Sequence, residues 1–158
     1  RVVDKVLSSE KEKVYRFTRD LAKKVKEEGH LLMAISGSPD FIVSKFTDHM
    51  GFDVYRGSVF EIKDGYFTGD TLSTESWKNK KGVIDKFVEE SKFDVDLENS
   101  MAIGDSGTDI SMLETVGRPI AFNPDGVLAK HAKEKGWTVV VERKNVAYEI
   151  KDFDINSY

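Results

Sequence analysis

Short apolar runs that alternate with helical patterns constrain the fold of this chain more than any other feature of its sequence. Residues 30–36 (HLLMAIS) form a continuous apolar run that ends in small residues, as in a strand buried on both faces of a parallel sheet. Comparable runs occupy residues 100–104, 119–122 and 137–141, and a segment with helical spacing separates each run from the next. This alternation predicts an α/β domain with a mostly parallel sheet.

The segments between these strands carry the spacing and the end signals of helices. A capping box formed by Ser9 and Glu12 predicts a first helix that runs to about residue 28. Gly29 and Gly51 are suitable stops for the first and second helices. Further helices are predicted at about 39–50, 80–90, 110–115 and 126–135, with a weak helix at 146–151.

Residues 52–72 have a different character from the rest of the chain. Val54-Tyr55, the run from Val59 to Ile62, and residues 66–68 are rich in strand-forming side chains. Lys63-Asp64-Gly65 between the last two runs is a turn signal. The segment therefore predicts a short strand followed by a β-hairpin.

The composition excludes several classes of function. The chain has 158 residues, which suits one hydrophobic core, and its net charge of −4 offers no broad basic field for nucleic acid. With no cysteine, disulfides, thiol catalysis and cysteine–zinc sites are excluded. No apolar run approaches the ~20 residues that span a bilayer. We therefore expect no nucleic-acid or membrane partner and a cytoplasmic location, and because residue 1 is Arg we expect an internal start.

A hydroxyl-bearing loop follows the first predicted strand. It consists of Ser36, Gly37, Ser38, Pro39 and Asp40, and it leads directly into a predicted helix. Free N–H groups and the helix dipole favour an anion such as phosphate at such a point. The alternative is a plain N-cap by Ser38 with Pro39 in the first turn, and the loop taken alone fits this alternative better.

A carboxylate-bearing loop follows the second strand. Gly104-Asp105-Ser106-Gly107-Thr108-Asp109 places two carboxylates at positions i and i+4 on a tight glycine turn. Magnesium takes one or two carboxylates together with water and substrate phosphate, which matches this supply of ligands. The alternative is a turn with an aspartate N-cap, but two glycines and two aspartates exceed what a simple cap requires.

Two lysines open the helix between these loops. Lys80 lies three, four and seven residues before Val83, Ile84 and Phe87 and shares their core-facing side. A lysine there would balance the charge of phosphate and carboxylate groups. We therefore prefer Lys80 as the functional lysine, while Lys81 remains an alternative and a solvated charge is the ordinary outcome for either.

Together these loops resemble the haloacid dehalogenase (HAD) superfamily, and within it the phosphoserine-phosphatase-like subfamily IB. The resemblance runs from about residue 28 to residue 141. Ser36 in LLMAISGSPD resembles the motif whose hydroxyl binds the phosphoryl group, and Lys80 or Lys81 resembles the motif lysine. GDSGTDISML resembles the metal-binding motif, with Asp105 as a magnesium ligand and Asp109 supporting the site. The resemblance implies catalytic Ser36 and Lys80, substrate binding by Ser36, Gly37, Ser38 and Thr108, and a pocket on which all these loops converge.

The family mechanism that this resemblance implies is two-step phosphoryl transfer from a small phosphomonoester, with phosphoserine as a candidate. One aspartate attacks phosphorus, and a second aspartate two residues later acts as acid and base. Nothing before Ser36 matches this Asp-x-Asp motif, because Asp4 follows no buried strand and Asp20 lies within a predicted helix. We therefore expect the whole protein to be a phosphatase and this chain alone to be inactive.

The resemblance also predicts the domain organisation. It implies a three-layer Rossmann-like core over residues 29–158, with a β-hairpin but without its first strand, and a remnant of a helical cap with a linker helix over residues 1–28. The missing strand would lie between the strands that end at Ser36 and Gly104, so both would present unpaired edges. We expect the gap to be filled by an N-terminal segment, a separate fragment or a swapped strand in a dimer. The alternative function is a non-catalytic interaction module that captures a partner's strand.

Overall fold

The computed structural model describes residues 4–5, 14–143 and 146–151, and it divides the chain into two compact units. The first unit comprises Arg1–Asn79 and the second Lys80–Tyr158. This partition follows the density of backbone contacts and differs from the division after residue 28 that the sequence predicts. That division concerns a cap and a core and stays a prediction.

The first unit is built around a three-stranded sheet. Strands β1 and β2 are parallel, and β2 and β3 form an antiparallel hairpin, so that β2 is the central strand. The elements in chain order are α1 (Arg16–Glu27), β1 (Met33–Pro39), α2 (Asp40–Met50), β2 (Val54–Lys63), β3 (Tyr66–Ser73) and α3 (Glu75–Lys78).

The hairpin predicted from the sequence is confirmed, with a two-residue turn. Asp64 and Gly65 both have positive φ, 52° and 81°, and a two-residue loop of this kind matches the twist of the flanking strands. Gly51, with φ of 75°, ends α2 in the left-handed conformation, as the sequence predicts. The two strand-like runs of residues 54–62 belong to a single ten-residue strand rather than to two strands.

Two boundaries in the first unit differ from the predictions. The first helix begins at Arg16, because Tyr15 has extended backbone angles, and the predicted capping box of Ser9 and Glu12 lies outside the described residues. Strand β1 begins at Met33, not at residue 30, and continues to Pro39. Met33 and Ile35 are only half-buried, in contrast to the strand buried on both faces that was predicted. In the described part of the chain β1 has a strand on one side only, which explains their exposure.

The second unit contains a four-stranded sheet in the order β4-β5-β6-β7. The first three strands are parallel and the last is antiparallel to its neighbour. The elements in chain order are α4 (Lys80–Glu90), β4 (Met101–Gly104), a 3₁₀ turn (Gly107–Asp109), α5 (Ile110–Leu113), β5 (Arg118–Phe122), α6 (Gly126–Lys135), β6 (Thr138–Arg143) and β7 (Val146–Ile150).

The core of the second unit lies where helices cover the parallel strands. The side chains of Leu113 and Leu128 are fully buried, and α4 buries the face that carries Val83 and Ile84. Strand β5 contributes a run of buried residues that ends at Phe122. Burial of a large aliphatic side chain contributes about 1.5–3 kcal/mol, so this apolar face holds the helices on the sheet.

The predicted helix at residues 146–151 is wrong, because Val146–Ile150 is a strand. It pairs antiparallel with β6, with Tyr148 opposite Val141 and Val146 opposite Arg143. The sequence VAYEI is rich in strand-forming residues, and pairing with an available neighbouring strand decides between two weak local preferences.

The α/β class predicted from the sequence is confirmed. Helices alternate with strands along the chain, and among the described residues three of the five strand pairs are parallel. Within the described residues, no helix has both the length and the apolar character needed to cross a membrane.

Candidate active site

The carboxylate-bearing loop of the second unit, residues 104–109, follows directly from the carboxyl end of β4. Gly104 ends the strand, and a Cβ atom at this position would lie 2.4 Å from the Cβ of Asp109. Only glycine therefore allows Asp109 to fold back against the strand end. The carboxyl end of a parallel strand is where open α/β sheets bind ligands.

Asp109 organises the loop through its buried carboxylate. Its Oδ2 accepts hydrogen bonds from the backbone N–H groups of Asp105, at 2.9 Å, and Ser106, at 3.1 Å, while the Ser106 hydroxyl donates to the same oxygen at 3.3 Å. Asp109 is 2% exposed. A buried carboxylate that accepts several backbone donors is held in one orientation, so the loop is preorganised.

Lys80 completes the pairing of this carboxylate. Its ammonium group forms an ion pair with Oδ1 of Asp109, and the side chain of Lys80 is 11% exposed. Lys81 instead pairs with Asp85 at 2.5 Å on the solvent-exposed face of α4, with 54% of its side chain exposed. The structure therefore brings Lys80, the preferred of the two lysines, to the carboxylate loop and directs Lys81 away from it.

The two aspartates of the loop have opposite pKa shifts. Burial opposes ionisation of Asp109, but the Lys80 ammonium and the N–H groups of Ser106 and Asp105 outweigh it and lower the pKa of Asp109. Partial desolvation raises the pKa of Asp105, and the nearby Asp109 carboxylate raises it further. Asp105 thus lies beside a like charge that a bound cation would offset.

These residues fit a magnesium ion by the chemistry of their donors. Asp105 and Asp109 provide carboxylate oxygens, and Asp105 is exposed to solvent, where water and phosphate oxygens can complete the coordination. The described residues contain no group of three or more histidine, aspartate or glutamate side chains that could hold a metal ion. A site with two carboxylates suits magnesium, which usually keeps several waters.

One further residue, Asp125, supports the loop, and the sequence analysis did not identify it. Asp125 caps α6 by accepting from the Leu128 N–H at 2.8 Å, and its other oxygen accepts from the Gly107 N–H at 3.0 Å. The Ser106 hydroxyl also lies 2.8 Å from the hydroxyl of Thr108. The signal for Asp125 was present in its sequence, because an aspartate directly before a helical segment is a typical N-cap.

The hydroxyl-bearing loop of the first unit, residues 36–38, interrupts the pairing of β1 with β2. Ile35 pairs with Arg56 and Pro39 with Ser58, so three residues of β1 face the single residue Gly57. The loop leads directly into α2, as the sequence predicts. Its N–H groups are therefore released from regular pairing close to the start of a helix, where anions are favoured.

The side chain of Ser36 turns back on its own loop. Its Oγ accepts a hydrogen bond from the Ser38 N–H at 3.2 Å. The plain N-cap that Ser38 was expected to provide does not form: Pro39 occupies the N-cap position of α2, and no side chain caps it. The loop is thus shaped by its bulge and by Ser36, whose Oγ engages one of the backbone donors of the predicted anion site.

The structure brings Lys80 and the two aspartates of the carboxylate loop together, with Thr108 on the same turn. Ser36, Gly37 and Ser38 form one continuous loop in the first unit. The catalytic, substrate-binding and metal-binding roles assigned to these seven residues from the sequence stay predictions.

Comparison with known proteins identifies relatives for this arrangement. A sequence model of a family described as haloacid dehalogenase-like hydrolase matches residues 1–114. Phosphoserine phosphatase from Methanocaldococcus jannaschii is 30% identical over 82% of this chain and 58% of its own length. Histidinol-phosphatase from Neisseria meningitidis is 31% identical over 71% of this chain and 52% of its own length.

Solved structures give the same result. A structure described as a phospho-aspartyl intermediate analogue of phosphoserine phosphatase has a TM-score of 0.65 and 28% identity, covering 80% of this chain and 58% of that one. Its likeness agrees with the Rossmann-like α/β fold expected from the sequence. The chain spans about half the length of the curated relatives described above.

Proposed function

This chain belongs to the haloacid dehalogenase-like hydrolases and is phosphoserine-phosphatase-like, and from this premise we propose that the whole protein is a magnesium-dependent phosphatase of a small phosphomonoester. Phosphoserine is the candidate substrate, since one relative is a phosphoserine phosphatase, and histidinol phosphate is a second, because another relative bears that name. The proposed location is the cytoplasm. The observation that carries the proposal is the buried pairing of Lys80 with Asp109 in a loop at the carboxyl end of β4.

Each loop has a defined task in this proposal. The Ser36 hydroxyl and the N–H groups of Gly37 and Ser38 bind phosphoryl oxygens, with a further hydroxyl contact from Thr108. Lys80 supplies positive charge to the phosphoryl group while it holds Asp109 in place. Asp105 would hold the magnesium ion, with Asp109 supporting the metal site, and the bound ion would neutralise charge on the phosphoryl oxygens.

The nucleophile of the proposed reaction lies outside this chain. An aspartate encoded upstream of Arg1 attacks phosphorus, so that an aspartyl oxygen–phosphorus bond forms and the bond to the alcohol oxygen breaks. A second aspartate gives its proton to the leaving alcohol and then takes a proton from the water that hydrolyses the aspartyl-phosphate. The described chain alone is therefore inactive in this proposal.

The test compares the protein expressed with its upstream coding sequence and the chain from Arg1 to Tyr158. Both are assayed on phosphoserine, histidinol phosphate and a generic aryl phosphate, with magnesium and with a chelator. We expect the longer protein to turn over at least one of them in a magnesium-dependent manner. The chain alone should be slower by roughly 10⁴-fold or more, since removal of a nucleophile costs on this scale.

Two outcomes would count against the proposal. No magnesium-dependent turnover of any phosphomonoester by the longer protein would refute the activity, and equal turnover by the chain alone would refute the upstream nucleophile. Asp105→Asn in the longer protein is the matched variant for the metal. It should raise the magnesium concentration needed for activity, whereas Asp85→Asn on the exposed face of α4 should not.

A second candidate function rests on the edge strands of the two sheets, each of which has a neighbour on one side only within the described residues. Within the described residues β1 pairs only with β2, and β4 pairs only with β5. Met101 on β4 is 39% exposed, although it is an apolar residue in a strand. A chain with such edges is a candidate interaction module that accepts a strand from an N-terminal segment, a partner or a second copy.

Size-exclusion chromatography with light scattering distinguishes this second candidate. Self-association that rises with concentration, or binding of an added peptide from the upstream sequence, supports strand capture. A well-folded monomer that binds no added strand contradicts it. The first candidate does not depend on this result, because it concerns the activity of the longer protein.

A further inference from the structure

Behind the hydroxyl-bearing loop of the first unit lies a pair of buried hydroxyl groups. Ser58 on β2 and Ser76 on α3 are 3% and 2% exposed. The Ser58 Oγ lies 2.9 Å from the carbonyl oxygen of Gly37, to which it donates, and 3.4 Å from the Oγ of Ser76. Buried hydroxyls seldom lack partners, so the direction of these contacts follows from counting donors.

A serine hydroxyl has one proton to donate. Because Ser58 gives its proton to the Gly37 carbonyl, Ser76 is the donor in the contact between the two hydroxyls. The chain of hydrogen bonds therefore runs from Ser76 to Ser58 and on to the Gly37 peptide. Ser76 orients Ser58, and Ser58 fixes the carbonyl.

The geometry of the peptide bond carries this constraint to the other side of the loop. In a planar trans peptide, the carbonyl of Gly37 and the N–H of Ser38 point in opposite directions. With the carbonyl held by Ser58, the Ser38 N–H points away from β2, where it donates to the Ser36 Oγ. Rotation of this peptide would turn that donor toward Ser58 and leave an acceptor in its place.

The neighbouring residues pack closely around the two glycines of this region, Gly37 and Gly57. A Cβ on Gly37 would lie 3.2 Å from Trp77, which follows Ser76 on α3. A Cβ on Gly57 would lie 2.4 Å from the Cα of Asp40 at the start of α2. The loop thus packs closely against α3 at Gly37, and the start of α2 packs closely against β2 at Gly57.

We propose that Ser58, oriented by Ser76, is a positioning residue that keeps the Ser38 N–H on the side of the Ser36 Oγ, where this donor and the Ser36 hydroxyl face the phosphoryl oxygen. This inference rests on the proposed function of the loop as a phosphoryl site. Ser58 itself does not touch the substrate. Its loss weakens anion binding by freeing the Gly37 peptide, and it leaves the carboxylates that hold the metal unchanged.

The experiment titrates inorganic phosphate into the protein expressed with its upstream sequence while the Ser38 amide is followed by ¹⁵N NMR. We expect the Ser38 resonance to shift with phosphate in the wild type. In Ser58→Ala the dissociation constant for phosphate should rise about three- to tenfold, the scale of one lost hydrogen bond. The magnesium concentration for half-maximal activity should stay at the wild-type value.

Thr47→Val is the matched control. Thr47 is 1% exposed in the same unit, and its hydroxyl donates within α2, to the carbonyl oxygens of Val43 and Ser44, both at 2.9 Å. Its removal also deletes a buried hydroxyl, but it leaves the Gly37 peptide alone, so phosphate affinity should not change. Ser76→Ala should weaken phosphate binding less than Ser58→Ala. If Ser58→Ala does not fold, the phosphate affinity of Ser76→Ala tests the inference in its place.

The outcomes separate this inference from the proposed function. Phosphate affinity that is unchanged in Ser58→Ala, or reduced equally in Thr47→Val, overturns the inference. A wild-type Ser38 amide that ignores phosphate also overturns it. If the longer protein hydrolyses no phosphomonoester but Ser38 still responds to phosphate through Ser58, the proposed activity fails and the inference stands.

Discussion

The two candidate loops both belong to parallel strands, one as a bulge within β1 and the other after the end of β4, but they are built on opposite principles. The loop of residues 36–38 in the first unit offers backbone N–H groups and hydroxyls, and it is held from behind by Ser58. The loop of residues 104–109 in the second unit offers carboxylates, and the buried Asp109 and Lys80 hold it from within. The first is suited to an anion and the second to a cation.

Each loop also depends on a glycine that allows close approach. Gly57 lies against the backbone of Asp40, and Gly104 lies against the side chain of Asp109. Because the two loops are held in place by different interactions, we expect them to be sensitive to different substitutions. A loop held by a buried ion pair should fail when charge is removed, and a loop held by packing and neutral hydrogen bonds should fail when volume is added.

The largest effect is expected from Asp109→Ala. This change leaves the Lys80 ammonium and the N–H groups of Asp105 and Ser106 without their shared acceptor. Breaking a buried pair by removing one partner costs about 3–5 kcal/mol, which urea unfolding of the chain measures. Asp85→Ala removes the exposed partner of Lys81 and should cost about 0.3–0.5 kcal/mol. Equal losses would show that burial of the Asp109 pair does not matter.

The second-largest effect is expected from Lys80→Met, and the measurement is the catalytic rate. In the protein expressed with its upstream sequence, loss of this charge should lower kcat by roughly 10²- to 10³-fold, the usual effect of removing one group that stabilises transition-state charge. Lys81→Met should change kcat by no more than about twofold, because Lys81 pairs with Asp85 on the exposed face of α4. A larger loss in Lys81→Met would reassign the functional lysine.

Gly57→Ala tests the loop that relies on packing. The added methyl group would lie 2.4 Å from the Cα of Asp40, so the start of α2 must shift. Overpacking of this kind costs about 1–3 kcal/mol in unfolding free energy. Gly126→Ala at the start of α6 is the control, since a methyl group added there would meet no atom within 4 Å and the φ of Gly126 is not positive. A neutral Gly57→Ala would contradict the close packing described for this loop.

The smallest effect is expected from Asp53→Asn, which tests an exposed carboxylate in the first unit. A hydrogen bond from the Leu32 N–H and, to a smaller extent, one from the Lys26 ammonium lower the pKa of Asp53 below its ordinary value of 3.8. Its ionised form therefore stabilises the fold above this value by about 1 kcal/mol or less, and the contribution is lost as the pH falls through the lowered pKa. Urea unfolding of Asp53→Asn should differ from the wild type at pH 7, and the difference should shrink as the pH falls below the ordinary pKa of an aspartate.

Asp70→Asn is the control for that measurement, because Asp70 is an exposed residue of β3. Its unfolding free energy should follow the wild type across the same pH range. A difference between wild type and Asp53→Asn that does not shrink on acidification would exclude ionisation of Asp53 as its cause.

Much of the fold was predictable because local signals and tertiary structure agree. The bounds of α4 and α6 match the sequence prediction, since both helices have an apolar face and α6 ends at Gly136 in the left-handed conformation. The turn at Asp64-Gly65 has a backbone that few other residue pairs adopt. The strand β7 was missed because its local strand and helix preferences are both weak, and pairing with β6 decides between them.

The candidate site was predictable to a similar degree. The spacing of Lys80 along α4 identified the lysine that reaches Asp109, and the glycine-rich turn identified the carboxylate loop. The supporting residues were not predictable, because Ser58 and Ser76 are ordinary serines until β2 and α3 bring them behind Gly37. Side chains that act through another residue carry no motif of their own.

The bulge in β1 has a consequence for how such a loop arises and disappears. Three residues occupy the span of one, yet the strand resumes its parallel alignment at Pro39 opposite Ser58. A gene that lost two of these codons would keep the same strand neighbours on both sides, so we expect the architecture to survive while the proposed phosphoryl site is lost. Gain or loss of this site is therefore within reach of a single short insertion or deletion.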